Sequence, residues 1–140
     1  MKKFFAVMSA VLLLLTAFAA CGGKSAEAEV SIDYGTSDLY TQADREQAVS
    51  LIRQEFSGWE GCELHAIRYA GDECQSEENL SWMNDLREGE DFTQCIEFFS
   101  DFHSPKQDAG AWNPDQEYTD WQWWLARPEG GEWQLLTWGY

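Results

Sequence analysis

Basic residues are scarce in this chain of 140 amino acids. Nine lysines and arginines stand against 25 aspartates and glutamates, which gives a formal net charge of −16. A field of this sign repels nucleic-acid phosphates and anionic lipid headgroups. We therefore expect no nucleic-acid partner, and the charge favours a soluble small domain.

The motifs that bind metal ions are also lacking. Among four cysteines and two histidines there is no CxxC pair and no Cys/His spacing of the kind that binds zinc. The acidic stretches GDECQSEE and REGED have neither the alternating oxygen ligands nor the central glycine of an EF-hand loop. We expect these stretches to be solvated surface, and we predict no metal and no cofactor.

A long apolar run occurs only at the N-terminus, and no internal repeat is visible. Lys2 and Lys3 precede an apolar run centred on residues 11–15, and Ala19 and Ala20 then precede Cys21. This order is typical of a secretory signal peptide, and the run is too short to favour a lasting membrane span. We therefore predict a protein that leaves the cytoplasm.

The end of this segment, FAACG, resembles the lipobox of bacterial lipoproteins. The resemblance implies that Cys21 carries a diacylglycerol and becomes the new N-terminus. Ordinary signal-peptidase cleavage at AFA, which would release a soluble product, stays open. We predict a signal peptide over residues 1–20, the lipidated cysteine with a flexible tether over residues 21–30, and a single domain over residues 31–140.

Two helices and four strands are predicted in this domain. Thr41 suits a helix N-cap, and Ala48 and Ile52 belong to an apolar face that repeats every four residues over Gln42–Phe56. Ser76 suits the cap of a second helix. Strand patterns cover residues 61–70, 93–102, 118–127 and 132–140. The order predicts an α+β domain with both helices packed on one face of a mainly antiparallel four-stranded sheet.

Five of the eight tryptophans fall after residue 120. Alternation along the third predicted strand puts Trp121 and Trp123 towards the helices and Trp124 on the outer face, beside Trp133. This assignment depends on the length of the hairpin loop at residues 128–131, because an odd-length loop would exchange the two faces of the last strand. We predict a contact surface at Trp124 and Trp133, either a homodimer seam, a patch covered by the chain's own loops, or a ligand site. Trp112 is either a lid or a residue that stacks on a ligand.

The order of elements resembles the cystatin-like, nuclear-transport-factor-2-like superfamily, a cone in which a curved sheet wraps over helices. More narrowly, IDYGTSDLYT, FSGWEGCEL, FFSDF, YTDWQWWLAR and the terminal WGY resemble a family of small lipoproteins of Gram-positive bacteria. The resemblance covers residues 32–140. It implies a fold and a location but no activity, because superfamily members include both enzymes and binding proteins.

Residues suited to acid–base chemistry are few, and they are His65, His103, Asp101 and Asp120. Enzymes of the superfamily place such groups inside the cone, but spacing alone does not bring these residues together, so we predict no catalytic residue.

The internal cysteines allow at most one disulfide. Cys62 and Cys95 fall at strand positions and are the candidate pair, while Cys74 lies among carboxylates that disfavour a reactive thiolate. Free cysteines that serve only in packing are the alternative.

These observations favour a membrane-tethered lipoprotein on the extracytoplasmic face of the cell membrane. We expect it to be a non-catalytic module that binds a protein partner, a second copy of itself or a small ligand. The alternative is a small acid–base enzyme, a hydrolase, isomerase or dehydratase, that acts in the cone cavity.

Overall fold

The computed structural model describes residues 29–140, so the predicted signal peptide, the Cys21 lipid site and most of the tether lie outside the described residues. The elements are β1 (Ser31–Asp33), α1 (Gln42–Phe56), β2 (Glu63–Tyr69), a 3-10 turn (Asp72–Cys74), α2 (Glu77–Leu86), β3 (Phe92–His103), β4 (Glu117–Pro128) and β5 (Gln134–Gly139). Within residues 29–140, no helix is both long enough and apolar enough to cross a bilayer.

Both helices begin at the predicted caps. The Thr41 hydroxyl accepts the Asp44 N–H at 3.1 Å, and the Asp44 carboxylate accepts the Thr41 N–H at 2.9 Å, which completes a capping box. At α2, the Ser76 hydroxyl accepts the Asn79 N–H at 3.1 Å. The predicted bounds of α1 are confirmed, because its local signals, the cap and the apolar periodicity, agree with each other.

The five strands form one mixed sheet in the order β1-β2-β3-β4-β5. Strands β2 to β5 are antiparallel neighbours, whereas β1 runs parallel to β2, with Ile32 opposite Ile67. The α+β class is confirmed, but the prediction of four strands is wrong. The missing strand, β1, is three residues long, and so short a segment has too little periodicity to be recognised.

The two helices lie on opposite faces of the sheet, which corrects the prediction that both pack on one face. Trp59, which follows α1, stacks on Trp123 at 5.1 Å, whereas Trp82 of α2 meets Trp124 edge-on at 5.4 Å. Trp123 and Trp124 pair with the consecutive residues Phe98 and Glu97 of β3, so the strand is regular here and the two indoles point to opposite faces. Both faces of the central sheet are therefore covered, and the four residues of β4 from 123 to 126 are all buried.

An aromatic core fills the space between α1 and the sheet. Phe102 lies at its centre and contacts Phe56 of α1 at 5.6 Å and Trp59 at 5.5 Å between ring centroids. The Trp123 indole N–H donates to the Ser100 hydroxyl at 2.8 Å, and both side chains are completely buried. The predicted inward orientation of Trp123 is confirmed.

α2 is fixed to the other face by side-chain hydrogen bonds. The Asn84 carbonyl oxygen accepts the Phe92 N–H at 2.8 Å, and the Asn84 amide donates to the Phe92 carbonyl at 3.1 Å. Met83 beside it is completely buried, while Leu86, the last residue of α2, is exposed. A single asparagine thus joins the helix to the first residue of β3.

The predicted disulfide between Cys62 and Cys95 is wrong, because strand register separates these residues. Cys62 precedes Glu63, which pairs with His103 at one end of β3, while Cys95 pairs with Ala126 near the other end. At about 3.3 Å per residue, the strand from Cys95 to His103 spans roughly 26 Å. Disulfides join Cα atoms less than about 7 Å apart. In this structure none of the three cysteines in residues 29–140 is bonded to another, and Cys74 and Cys95 are both buried.

Candidate functional site

The two tryptophans predicted to form a contact surface are buried. Trp124 is 6% exposed because α2 covers it through Trp82. Trp133 is 4% exposed and precedes β5, where its ring lies 5.4 Å from Tyr40 and 4.3 Å from the Arg127 guanidinium carbon. Of the three alternatives for this pair, cover by the chain's own segments agrees with the burial of both side chains. Trp124 is covered by α2, whereas Trp133 is covered near the start of α1, because the Arg127 guanidinium over its ring also donates to Asp44.

Other aromatic residues are exposed instead. Among the described residues, two tryptophans reach solvent substantially, Trp82 at 41% and Trp138 at 39%, and the terminal Tyr140 is 74% exposed. Trp82 lies on α2, whereas Trp138 lies near the end of β5 and Tyr140 directly follows this strand. The chain does keep an exposed aromatic surface, but at residues other than those predicted.

Strand β5 is one of the two edges of the sheet, and its sequence lacks the charge and proline that commonly protect an edge. The other edge, β1, is three residues long and carries Asp33. By contrast, β5 is six residues long, and the segment from Gln134 to Tyr140 contains no charged residue and no proline. Short length, charge, proline and bulges are the usual means by which proteins prevent an edge from pairing with another chain. β5 has a bulge at Leu136 in its pairing with β4 but none of the other three.

The exposed aromatic rings of β5 rest on a fixed base. Trp138 packs 5.7 Å from the fully buried Trp123, and Tyr140 meets Trp121 edge-on at 4.8 Å. The indole of Trp123 is itself stacked on Trp59. Since these contacts continue into the core, the two exposed rings are positioned by the fold.

Trp112, a predicted binding residue, folds back against this base. Its ring centroid lies 5.1 Å from that of Trp59, 5.2 Å from Phe102 and 5.3 Å from Trp121. The residue is half-buried. Its position agrees with the lid that the sequence left open as one alternative.

The two histidines lie together on the neighbouring strands β2 and β3, where their rings form hydrogen bonds with carboxylates. His65 Nδ1 is 2.9 Å from one oxygen of Glu117, and His103 Nδ1 is 3.0 Å from the other. His103 Nε2 is 2.9 Å from Asp115, and His65 Nε2 is 3.7 Å from Glu63. The histidine and carboxylate side chains that make these hydrogen bonds are partly exposed, so they form a network on the surface and do not line a cavity.

Carboxylates on both sides of His103 favour its charged form. Hydrogen bonds to Asp115 and then Glu117 raise the pKa of His103, since an ionised carboxylate accepts a hydrogen bond from each ring nitrogen of the imidazolium. No group of three or more His, Cys, Asp or Glu side chains in residues 29–140 has a geometry that could hold a metal ion. The carboxylates of Asp115 and Glu117 thus stabilise the protonated imidazole of His103.

The two aspartates considered for acid–base chemistry form ion pairs instead. Arg68 donates to both oxygens of Asp101 at 3.2 Å and also contacts Asp120. Asp120 lies at a bulge in β4 with φ of 56°, and its N–H donates to Asp101 at 3.0 Å. Neither carboxylate is bonded to a histidine, so the structure does not bring together the dyad that catalysis would need.

Glu97 is a partly buried carboxyl group that sequence reasoning missed. It lies opposite Trp124 on the face that α2 covers in part. Burial raises its pKa to about 7, because water that would stabilise the charged form is displaced. In sequence it is one acidic residue among 25, and only its alternation with the core residues Ile96 and Phe98 could have placed it on the outer face.

Comparison with known proteins found no matching family model, no matching curated protein and no matching solved structure. The resemblance to small lipoproteins thus contributes expectations about location and fold, and the function of this chain has to be inferred from its own geometry. Of the features above, the uncharged β5 edge with its exposed rings has the clearest implication for binding.

Proposed function

We propose that the chain is a lipid-anchored protein on the extracytoplasmic face of the cell membrane, where it acts as a non-catalytic interaction module. The contact element is β5 with Trp138 and Tyr140. The observation that carries the proposal is an unpaired, uncharged edge strand with aromatic residues held at its end. Such an edge adds a strand from another chain through main-chain hydrogen bonds, and side chains supply specificity.

The proposed partner is a second copy of the same chain. If two copies of β5 pair in antiparallel fashion, residues 134–140 of one copy meet the same uncharged residues of the other. No like charges then lie opposite each other across the strands. Two copies that approached each other through other parts of the surface would repel each other, because the chain carries a net charge of −16.

The tether supports this choice of partner. Lipid anchors at Cys21 would hold many copies in one membrane plane, which raises their effective concentration and converts weak pairing into stable association. The sheet in this proposal curves over α1 in the cone-like manner that the superfamily resemblance implies. Register shifts between β2 and β3, β3 and β4, and β4 and β5 support such curvature.

Sedimentation equilibrium of the chain from residue 21 onward, with Cys21→Ser to prevent lipidation, tests the proposal. We expect a reversible dimer that Trp138→Ala weakens on the order of tenfold, since an aromatic anchor of an interface contributes about 1–2 kcal/mol or more. Trp82→Ala is the matched control, because Trp82 has nearly the same exposure but lies on α2. It should leave the dimer unchanged, and circular dichroism should show both variants folded.

Salt concentration distinguishes a second copy from a basic partner protein. Pairing of two acidic chains should become tighter as salt screens their repulsion, whereas capture of a basic segment should become weaker. A chain that stays monomeric at about 100 μM and at high salt, well above the Kd of weak specific complexes, would refute the homodimer.

The alternative function, a small acid–base enzyme, has one observation in its favour. This is the chain of imidazoles and carboxylates centred on Glu117. Such an enzyme needs an enclosed polar cavity near the histidines. Aromatic rings occupy the space between α1 and the sheet, and His103 alternates with Phe102, so it points away from that space. We therefore rank the interaction module first.

A further inference from the structure

The fold brings two buried cysteines together from separate elements. Cys74 ends the 3-10 turn, and Cys95 lies in β3. The sulfur of Cys95 is 3.3 Å from the carbonyl oxygen of Cys74, and the sulfur of Cys74 is 3.9 Å from the carbonyl oxygen of Cys95. Each sulfur thus touches the other residue's backbone, so the two residues are direct neighbours.

The surrounding hydrogen bonds hold this pair in place. Gln75, the residue after Cys74, accepts the Cys95 N–H through its side-chain oxygen at 2.6 Å. The Tyr40 hydroxyl oxygen lies 2.6 Å from the Cys95 carbonyl oxygen and 2.9 Å from the Gln75 side-chain oxygen, so its single proton is shared between these two acceptors. These bonds fix the backbone of both cysteines, which reduces the rearrangement needed to join their sulfurs.

We propose that Cys74 and Cys95 form an intramolecular disulfide in the exported protein. Their S–H bonds break and one sulfur–sulfur bond forms. The two electrons and two protons reduce an exogenous disulfide, carried by a protein or a small thiol compound, to two thiols. The exchange passes through a mixed disulfide between one cysteine and the oxidant.

We expect the bond to form while the chain folds, because both thiols are buried in the folded protein and an external oxidant cannot reach them there. The same burial raises the pKa of both thiols, which disfavours the reactive thiolate. Only the supply of oxidant depends on the proposed extracytoplasmic location, because oxidising compartments are where disulfides persist.

Peptide mapping of the full exported chain tests the proposal directly. Trypsin separates the three cysteines of the domain, because cleavage after Arg53, Arg68, Arg87 and Lys106 leaves Cys62, Cys74 and Cys95 on different peptides. After free thiols are alkylated in denaturant, we expect peptides 69–87 and 88–106 to be cross-linked until a reductant is added. Peptide 54–68 should carry the alkyl label. Labels on both Cys74 and Cys95, or a cross-link of either to Cys62, would overturn the proposal.

Refolding in oxidised glutathione provides a second test that does not depend on location. Reduction of the oxidised wild-type protein should lower its Tm by about 10 °C, the scale expected for a bond that closes a loop of this length. Cys62→Ala should keep this sensitivity to reductant, and Cys74→Ala should lose it. Equal sensitivity in both variants would contradict the assigned pair. If Cys74→Ala does not fold, the peptide map of the wild-type chain still decides.

The disulfide experiments and the sedimentation experiment on β5 can fail independently of each other. Sedimentation reports on the edge strand, which none of the three cysteines belongs to. A missing disulfide therefore leaves the proposed dimer standing, and a monomeric chain leaves the disulfide standing.

Discussion

The hydrogen bond between Ser100 and Trp123 is the sharpest point at which to test the packing of the core. Both side chains are completely buried, and the indole N–H donates to the hydroxyl at 2.8 Å. Ser100→Ala removes the acceptor and leaves a buried N–H without a partner, which costs about 1–3 kcal/mol. For a domain of this size, about 2 kcal/mol corresponds to a fall in Tm of roughly 8 °C.

Trp123→Phe attacks the same bond from the other side. It keeps an aromatic ring but removes the donor and part of the volume, so we expect a loss of stability of about 2–3 kcal/mol. In the double variant neither group is left unpaired. Its loss should therefore be smaller than the sum of the two single losses by on the order of 1 kcal/mol.

Urea denaturation followed by circular dichroism measures all three free energies of unfolding. Ser81→Ala, at an exposed position of α2, is the control and should change stability by less than about 0.5 kcal/mol. If Ser100→Ala also stays within that limit, and the two single losses add, then the indole N–H has another partner and the packing described for this face is wrong.

Two further predictions concern titrating groups. Burial raises the folded-state pKa of Glu97 to about 7, so its contribution to stability is present at acid pH and is lost as pH rises through 7. The free energy of unfolding of Glu97→Gln should then equal that of the wild type near pH 4 and exceed it at pH 8 by about 1–2 kcal/mol, a value reduced for partial exposure. Urea denaturation at pH 4 and pH 8 measures this difference, and equal stability of the two proteins at pH 8 would contradict the prediction. Asp115→Asn should lower the pKa of His103, which NMR titration of the imidazole measures. Asp108→Asn, in the same loop, is the control. An unchanged His103 pKa in Asp115→Asn would disprove the contact.

Local signals predicted the helices well, and long-range coverage was the part that failed. Thr41 and Ser76 begin α1 and α2 because a cap is recognised within three residues. The opposite directions of Trp123 and Trp124 follow from strand alternation and were also predicted. Whether Trp124 is exposed depends on where α2 docks, 40 residues earlier in the chain, and no local pattern contains that information.

The candidate site was missed for a related reason. The number of tryptophans indicated an aromatic surface. Which aromatic residues are exposed depends on the strand order, which places β5 at the edge of the sheet, and the sequence does not give this order. The absence of charge from residues 134–140 is visible in the sequence. In a chain this acidic, an uncharged segment was the one feature of the sequence that could have indicated the β5 contact surface. The contact between Cys74 and Cys95 had no sequence signal, since a 3-10 turn of three residues positions the first thiol.

The coverage of β4 on both faces has a consequence for how this protein can change over evolutionary time. Along residues 123–126 there is no solvent-facing position, so any polar replacement there would bury a group without a partner. Exposed segments such as residues 106–108 have no such restriction. Divergence should therefore be slowest in the WWLA stretch of β4, and this stretch is where distant relatives of the chain should be easiest to recognise.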